Sequence, residues 1–309
     1  MSFSTQFSLA GPLRQPKQML AEQSYSDDTS IHDDQIAASL GFQAGPIEGP
    51  THFSQLSPHL LEVFGPTFFE RGCLSVHYKN MVVEGESVRA FCDTPGANSE
   101  PINLWMEKAD GTPVLEGNAS IGPEYGETFL SNRIKELRPP KQLVILSDLK
   151  IGMQGVRDEL VCMKPDQKMG SLYPFSLNEK LAAITERSEW YEEKSPWGAP
   201  IIPLEMISVL VEYSSRDAKF PIKGPAIGLF ADQEIKLIDG PIFVGKDYVL
   251  RREIIALSES RRTESYWVRT KIFDPISQRL VGETILNHAT LKDSYSEYDA
   301  DLKKLSAGV

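Results

Sequence analysis

The sequence predicts an α+β protein built from two related modules, each a buried helix followed by antiparallel strands. Three observations carry this expectation. Short runs of alternating apolar and polar residues, broken by Gly, Asp and Pro, fill 71–122 and again 228–291, which is the period of half-buried strands. An apolar segment with helical spacing precedes each run. The chain also resembles itself at an offset of about 160 residues, with Gly85 matching Gly245, Trp105 matching Trp267, Asp110 matching Asp274 and Gly117 matching Gly282. Such a period marks a duplication.

The first helix is expected over 51–64, with Phe53, Leu56, Leu60, Val63 and Phe64 facing inward and Gly65-Pro66 as its stop. Pro58 should bend it or mark a late start. The first strands follow, and 125–142, polar and ending in Arg138-Pro139-Pro140, reads as a linker. The modules are therefore drawn as 1–130 and 131–309. In the second, a helix over 203–214 opens on Pro203 and carries Leu204, Ile207, Leu210 and Val211 as its stripe. The second set of strands leads to a charged tail, 292–309, expected to be partly frayed.

The net charge of −11 over 309 residues argues against nucleic-acid binding, which needs clustered Lys and Arg. The first thirty residues hold no apolar core of a signal peptide and no run of 18 apolar residues follows, so a cytoplasmic protein that does not span a membrane is expected. Cys73, Cys92 and Cys162 are odd in number and lack Cys-x-x-Cys spacing. They read as small hydrophobes in a reducing compartment.

Three of the five histidines, His32, His52 and His59, fall in the window 24–59 among Asp27, Asp28, Asp33, Asp34 and Glu48. On the residues alone, Asp27 and Asp28 are either turn formers or chemistry, and Asp33 is an N-cap for a short helix over 34–40. The order of residues in this window resembles the MaoC-like dehydratases, the (R)-specific enoyl-CoA hydratase or hydratase 2 family. Asp27, Ile31 and His32 match that family's signature in spacing, as do Ala37 or Ala38, Gly41-Phe42, Pro46-Ile47 and Gly49. Thr29 and Ser30 stand where the family has Asn and Pro, and Glu48 where it has the His before Gly.

The resemblance implies a tandem, or double, hotdog with two antiparallel sheets, each wrapping a central helix. It implies catalysis by Asp27 and His32 on an α,β-unsaturated or 3-hydroxy acyl thioester, carried by CoA or an acyl carrier, with no cofactor beyond that carrier. A carboxylate and an imidazole five residues apart can hold one water between them. Thr29, Glu48, Gly49 and His52 are the substrate-binding candidates; the Gly49 N–H would face the thioester oxygen at a helix start, and His52 either faces the site or is a satisfied core histidine. Half two keeps the Trp-Gly-x-Pro-Ile turn in 184–206 but has no histidine there. It is expected to be non-catalytic and to shape an acyl tunnel, in a monomer or a homodimer.

Two alternatives remain open: a thioesterase with Glu48 or Asp33 as base, and a hotdog that binds an acyl chain or a partner without chemistry. His59 and His77 read as structural. Neither Gly-x-Ser-x-Gly nor Gly-x-Gly-x-x-Gly occurs, and no zinc spacing recommends a metal site at His32, Asp33, Asp34 and His52. Arg251-Arg252 and Arg261-Arg262 are read as solvated strand positions, the alternative being contact with a phosphate or phosphopantetheine arm.

Overall fold

The computed structural model describes residues 7–23, 30–94, 101–193 and 195–307. In chain order these form β1 (Ser8–Ala10), α1 (Asp34–Ser39), α2 (Phe53–Phe64), α3 (Phe68–Arg71), β2 (Gly72–Tyr78), β3 (Val88–Asp93), β4 (Ile102–Lys108), β5 (Pro113–Ile121) and α4 (Phe129–Lys135). There follow β6 (Glu159–Val161), α5 (Leu177–Ala183), α6 (Glu189–Glu192), α7 (Leu204–Glu212), β7 (Gly228–Leu237), β8 (Tyr248–Glu259), β9 (Thr263–Phe273), β10 (Leu280–Leu291) and α8 (Tyr298–Ala307).

The strand order is β1-β3-β4-β5-β2-β7-β10-β9-β8-β6. Read outward from β2 and β7 the two halves are identical in plan, so the sequence repeat is a repeat of structure. It corrects the expectation of two sheets: β2 pairs antiparallel with β7, Leu74 opposite Ile235 and Val76 opposite Gln233, and all ten strands form one sheet. Pairing these strands satisfies main-chain groups that two separate sheets would leave on open edges. The outer edges are the three-residue strands β1 and β6.

Both long helices pack on one face of this sheet. A 3-10 turn over Gly49–His52 leads into α2, which runs through Pro58 and ends at Gly65, whose φ of 66° is one that glycine adopts readily and other residues rarely do. Phe53, Leu56 and Leu60 of α2 share one apolar core with Ile207, Leu210 and Val211 of α7 and with Leu74 and Ile235 of the sheet. All nine residues of α7 are buried, Glu205, Ser208 and Glu212 among them.

Two segments expected to be loose are ordered. The linker folds into α4, with Thr128 as N-cap, and covers the opposite face of the sheet, where Leu130 packs on Trp267 and Ile285. The expected division at 130/131 falls inside this helix. Beneath it lies Asp232, fully buried, whose Oδ1 is 2.8 Å from His77 Nδ1 and 2.7 Å from Arg133 Nε, while Oδ2 accepts from Asn287. The tail forms α8, tied down where Tyr298 donates to Glu264 and Lys223 pairs with Asp301. Cys73 and Cys92 are buried and Cys162 is half-buried, all as free thiols. No helix among the described residues is long and apolar enough to cross a membrane.

Candidate active site

A cavity of about 640 Å³ opens between the two halves. His32, Glu48, Gly49, His52 and Tyr78 line it from half one, and Glu212, Arg252, Tyr266 and His288 from half two. Asp27 and Thr29 lie outside the described residues. Asp33 is the N-cap of α1, its Oδ1 accepting from the N–H groups of Gln35 and Ile36 at 2.9 Å each. It is exposed on the surface, and among the described residues the carboxylates that line the cavity with His32 are Glu48, from half one, and Glu212.

The loop around His32 is held at both ends. Ser30, where the family has Pro, accepts from the His32 N–H at 3.1 Å and donates to Gln23. The His32 Nδ1 lies 2.6 Å from the Pro46 carbonyl. A carbonyl can only accept, so Nδ1 carries the proton and Nε2 offers a lone pair. The ring touches the cavity but is otherwise enclosed by protein, and burial lowers its pKa to about 4 against the opposing Pro46 bond. Gly45 makes this packing possible: a Cβ there would sit 2.1 Å from the His32 carbonyl oxygen. Gly45→Ala is therefore expected to destabilise the fold by about 1–3 kcal/mol through overpacking, read as a lowered denaturation midpoint.

Glu48 precedes the 3-10 turn and is 6% exposed. Tyr173, from half two, donates to its Oε1 at 2.9 Å. Burial pushes its pKa up to about 7; Lys180 and the Tyr173 bond pull it down, and Glu205 and Glu212 add to the rise. Lys180 is itself buried, donating to Thr51 at 3.0 Å and pairing with Glu205 at 3.2 Å. A carboxyl near 7 changes protonation at the pH where an acid–base group works best.

His52 faces the cavity rather than only the core. Its Nδ1 meets Gln55 Oε1 at 3.2 Å, and because Gln55 uses its amide to donate to Thr185, the oxygen must accept from His52. Burial lowers the His52 pKa to about 4. Gly49 opens the 3-10 turn, where first-turn N–H groups have no intrahelical acceptor. The atom closest to a Cβ at Gly49 would be the Tyr78 ring, at 2.7 Å, so this glycine admits Tyr78. Tyr78 in turn donates to Gln233, which donates to Ser208 on α7.

Half two contributes groups that sequence reasoning missed. Arg252 was expected on a solvated strand position, yet it is 3% exposed and holds Glu159 through Nε and Nη2 at 2.9 and 3.0 Å. The alternation of β8 turns it toward α7, where Glu212 waits; Arg251, its neighbour, points out to Asp158. Arg261 and Arg262 are exposed. Among the described residues no three His, Cys, Asp or Glu side chains gather as a metal site.

Neither a family model nor a curated protein sequence matches this chain. Solved structures do. A chain from Chloroflexus aurantiacus J-10-fl, described as a MaoC-domain protein dehydratase, superposes with a TM-score of 0.57 at 13% identity, over 94% of this chain and 95% of that one. A conserved double-hotdog protein from Mycobacterium tuberculosis gives 0.56 at 10% identity, over 94% and 97%. Likeness at this identity is likeness of fold, and the chain is a double-hotdog protein.

Proposed function

We propose that the protein adds water to an α,β-unsaturated acyl thioester, or removes it from the 3-hydroxy form, in the cavity between its halves. The observation that carries this reading is a buried carboxyl with a pKa near 7, Glu48, lining one cavity with an imidazole whose Nε2 lone pair is fixed by its Nδ1 bond, His32. In the hydration direction a water donates one hydrogen to His32 Nε2 and the other to the Glu48 carboxylate. As the water oxygen bonds to Cβ, Glu48 takes its proton, and the protonated Glu48 returns a proton to Cα. The net change is H and OH across the double bond, and the enzyme ends as it began. The Gly49 N–H at the start of the 3-10 turn is the donor for the enolate-like oxygen. Asp27, which the family resemblance pairs with His32, lies outside the described residues. Catalysis is assigned to module 1–130, with acyl-CoA or an acyl carrier as the source of the thioester.

Because the carboxylate form of Glu48 must be present, kcat/KM for hydration should rise about tenfold per pH unit below 7 and level off above it. His32 and His52 stay neutral throughout that range. A rate that falls between pH 6 and 8 would contradict the assignment. His32→Ala should lose turnover by about 10²-fold or more while remaining folded, followed by the conjugated enoyl absorbance; full activity in that variant would exclude His32 from the chemistry.

A further inference from the structure

The turn that carries Glu48 belongs to half one, and half two grips it. The Thr51 N–H closes the turn by donating to the Glu48 carbonyl at 3.1 Å, and the Thr51 hydroxyl accepts from Lys180 Nζ at 3.0 Å. Lys180 stands on α5, whose start is fixed by a capping box between Ser176 and Glu179. The segment leading into α5 also sends Tyr173 to the Glu48 carboxyl. Lys180 is 4% exposed, a depth at which lysine is found only with partners and at which salt screens its charge little. Its ion-pair partner is Glu205 of α7 at 3.2 Å, and Glu205 is held in turn by the Ser54 hydroxyl at 2.7 Å.

The charged and titratable groups around Glu48 are Lys180 from α5, Glu205 and Glu212 from α7, Tyr173 from the segment before α5, Tyr78 from β2, His52 from its own turn and His32 across the cavity. Both histidines are neutral near pH 7, and Arg252 is engaged with Glu159 and Glu212. The cation whose charge favours an ionised Glu48 is Lys180. We infer that Lys180 is a positioning residue for the reaction: it fixes the turn that carries Glu48 and supplies the counter-charge for its carboxylate, while Glu205 draws on the same ammonium and weakens that effect. This deepens the reading above and rests on Glu48 as the acid–base group. Half two then does more than wall the cavity, because module 1–130 by itself lacks this counter-charge.

The test reads Glu48 directly, apart from turnover. Full-length protein carrying carbon-13 at the glutamate carboxyls would be titrated by NMR across neutral pH, with the Glu48 signal assigned by its loss in Glu48→Gln. Lys180→Met should move the Glu48 midpoint up by about one pH unit, and Glu205→Gln should move it down. Because Lys180→Met strands Glu205 in the interior, the double variant Lys180→Met/Glu205→Gln, which has neither charge, is titrated beside it. Its midpoint should also lie above that of the parent, since Lys180 acts on Glu48 more strongly than Glu205 does. Opposite movements are what a shared counter-charge requires, and lost packing alone would not produce them. A midpoint unmoved in either Glu205→Gln or the double variant, or moved the same way in both, would overturn the proposal. The rising limb of kcat/KM for enoyl-thioester hydration should follow the midpoint in each variant, by about tenfold in rate per pH unit. Midpoints that move as expected while the rate limb stays in place, or while no turnover is seen, would instead count against the hydratase reading alone.

Discussion

Glu48→Gln is expected to lower kcat for enoyl-thioester hydration by about 10²- to 10⁴-fold, the range for removing a general acid–base group, with KM little changed. Glutamine matches the carboxyl in size, and its amide oxygen can still accept from Tyr173, which now reaches Oε1 at 2.9 Å. What it cannot do is take a proton from water and give it to Cα. Steady-state kinetics across pH would read both consequences, the fallen kcat and the loss of the limb near pH 7 that burial of Glu48 sets. The variant should fold at least as stably as the parent above pH 7. Glu48 has a raised pKa in the folded state, so whatever stability its protonation contributes is present below the unfolded value and lost as pH rises through about 7; a neutral amide does not incur that loss. Activity within a few-fold of wild type would remove Glu48 from the mechanism.

Arg252→Met should cost about 3–5 kcal/mol of folding stability, because deleting one partner of a buried ion pair leaves the others uncompensated. Methionine fills most of the same space, so the loss would be one of charge. Glu159 and Glu212, 4% and 3% exposed, would face each other without the guanidinium that separates them now. Urea unfolding at several pH values would measure it. The deficit should shrink as pH falls, since protons neutralise the stranded carboxylates, and adding Glu159→Gln should recover part of it. A cost under about 1 kcal/mol would mean that Arg252 is not the counter-charge the cluster depends on.

The sequence made the duplication legible because glycines mark close approaches of strands in both halves. Gly117 leaves no room for a Cβ against Ser75, and Gly282 lies on the matching strand, packed more loosely against Lys236. Helices α2 and α7 were readable from their stripes to within two residues. The joining of the sheets was not, since alternation reports which face of a strand is buried but not which edge is paired, and the β2–β7 register spans about 160 residues of sequence. Trp105 and Trp267 show the same limit: matched in the repeat, one stacks half-buried on Phe91 and the other is fully buried beneath α4.

The site divides in the same way. His32, Glu48 and His52 could be found from the local window, and the Asp33 cap was legible from its position before an apolar period. The character of Glu48 was not, because Tyr173 and Lys180, which oppose the burial of its charge, come from beyond residue 170. Glu212, Arg252 and His288 escaped for a related reason: an arginine in a strand pattern reads as solvated until the helix that covers that face is known. Half two was expected only to shape a tunnel, and it supplies a charged wall to the cavity.

The central claim, water addition in this cavity, is tested most directly by exposing the wild-type protein to enoyl-CoA thioesters of several chain lengths and following conjugated enoyl absorbance and free thiol in the same sample. The account predicts that absorbance falls to a hydration equilibrium while no thiol is released. Thiol release with the double bond intact would instead identify a thioesterase, and no change in either signal across the chain lengths would contradict catalysis at this site.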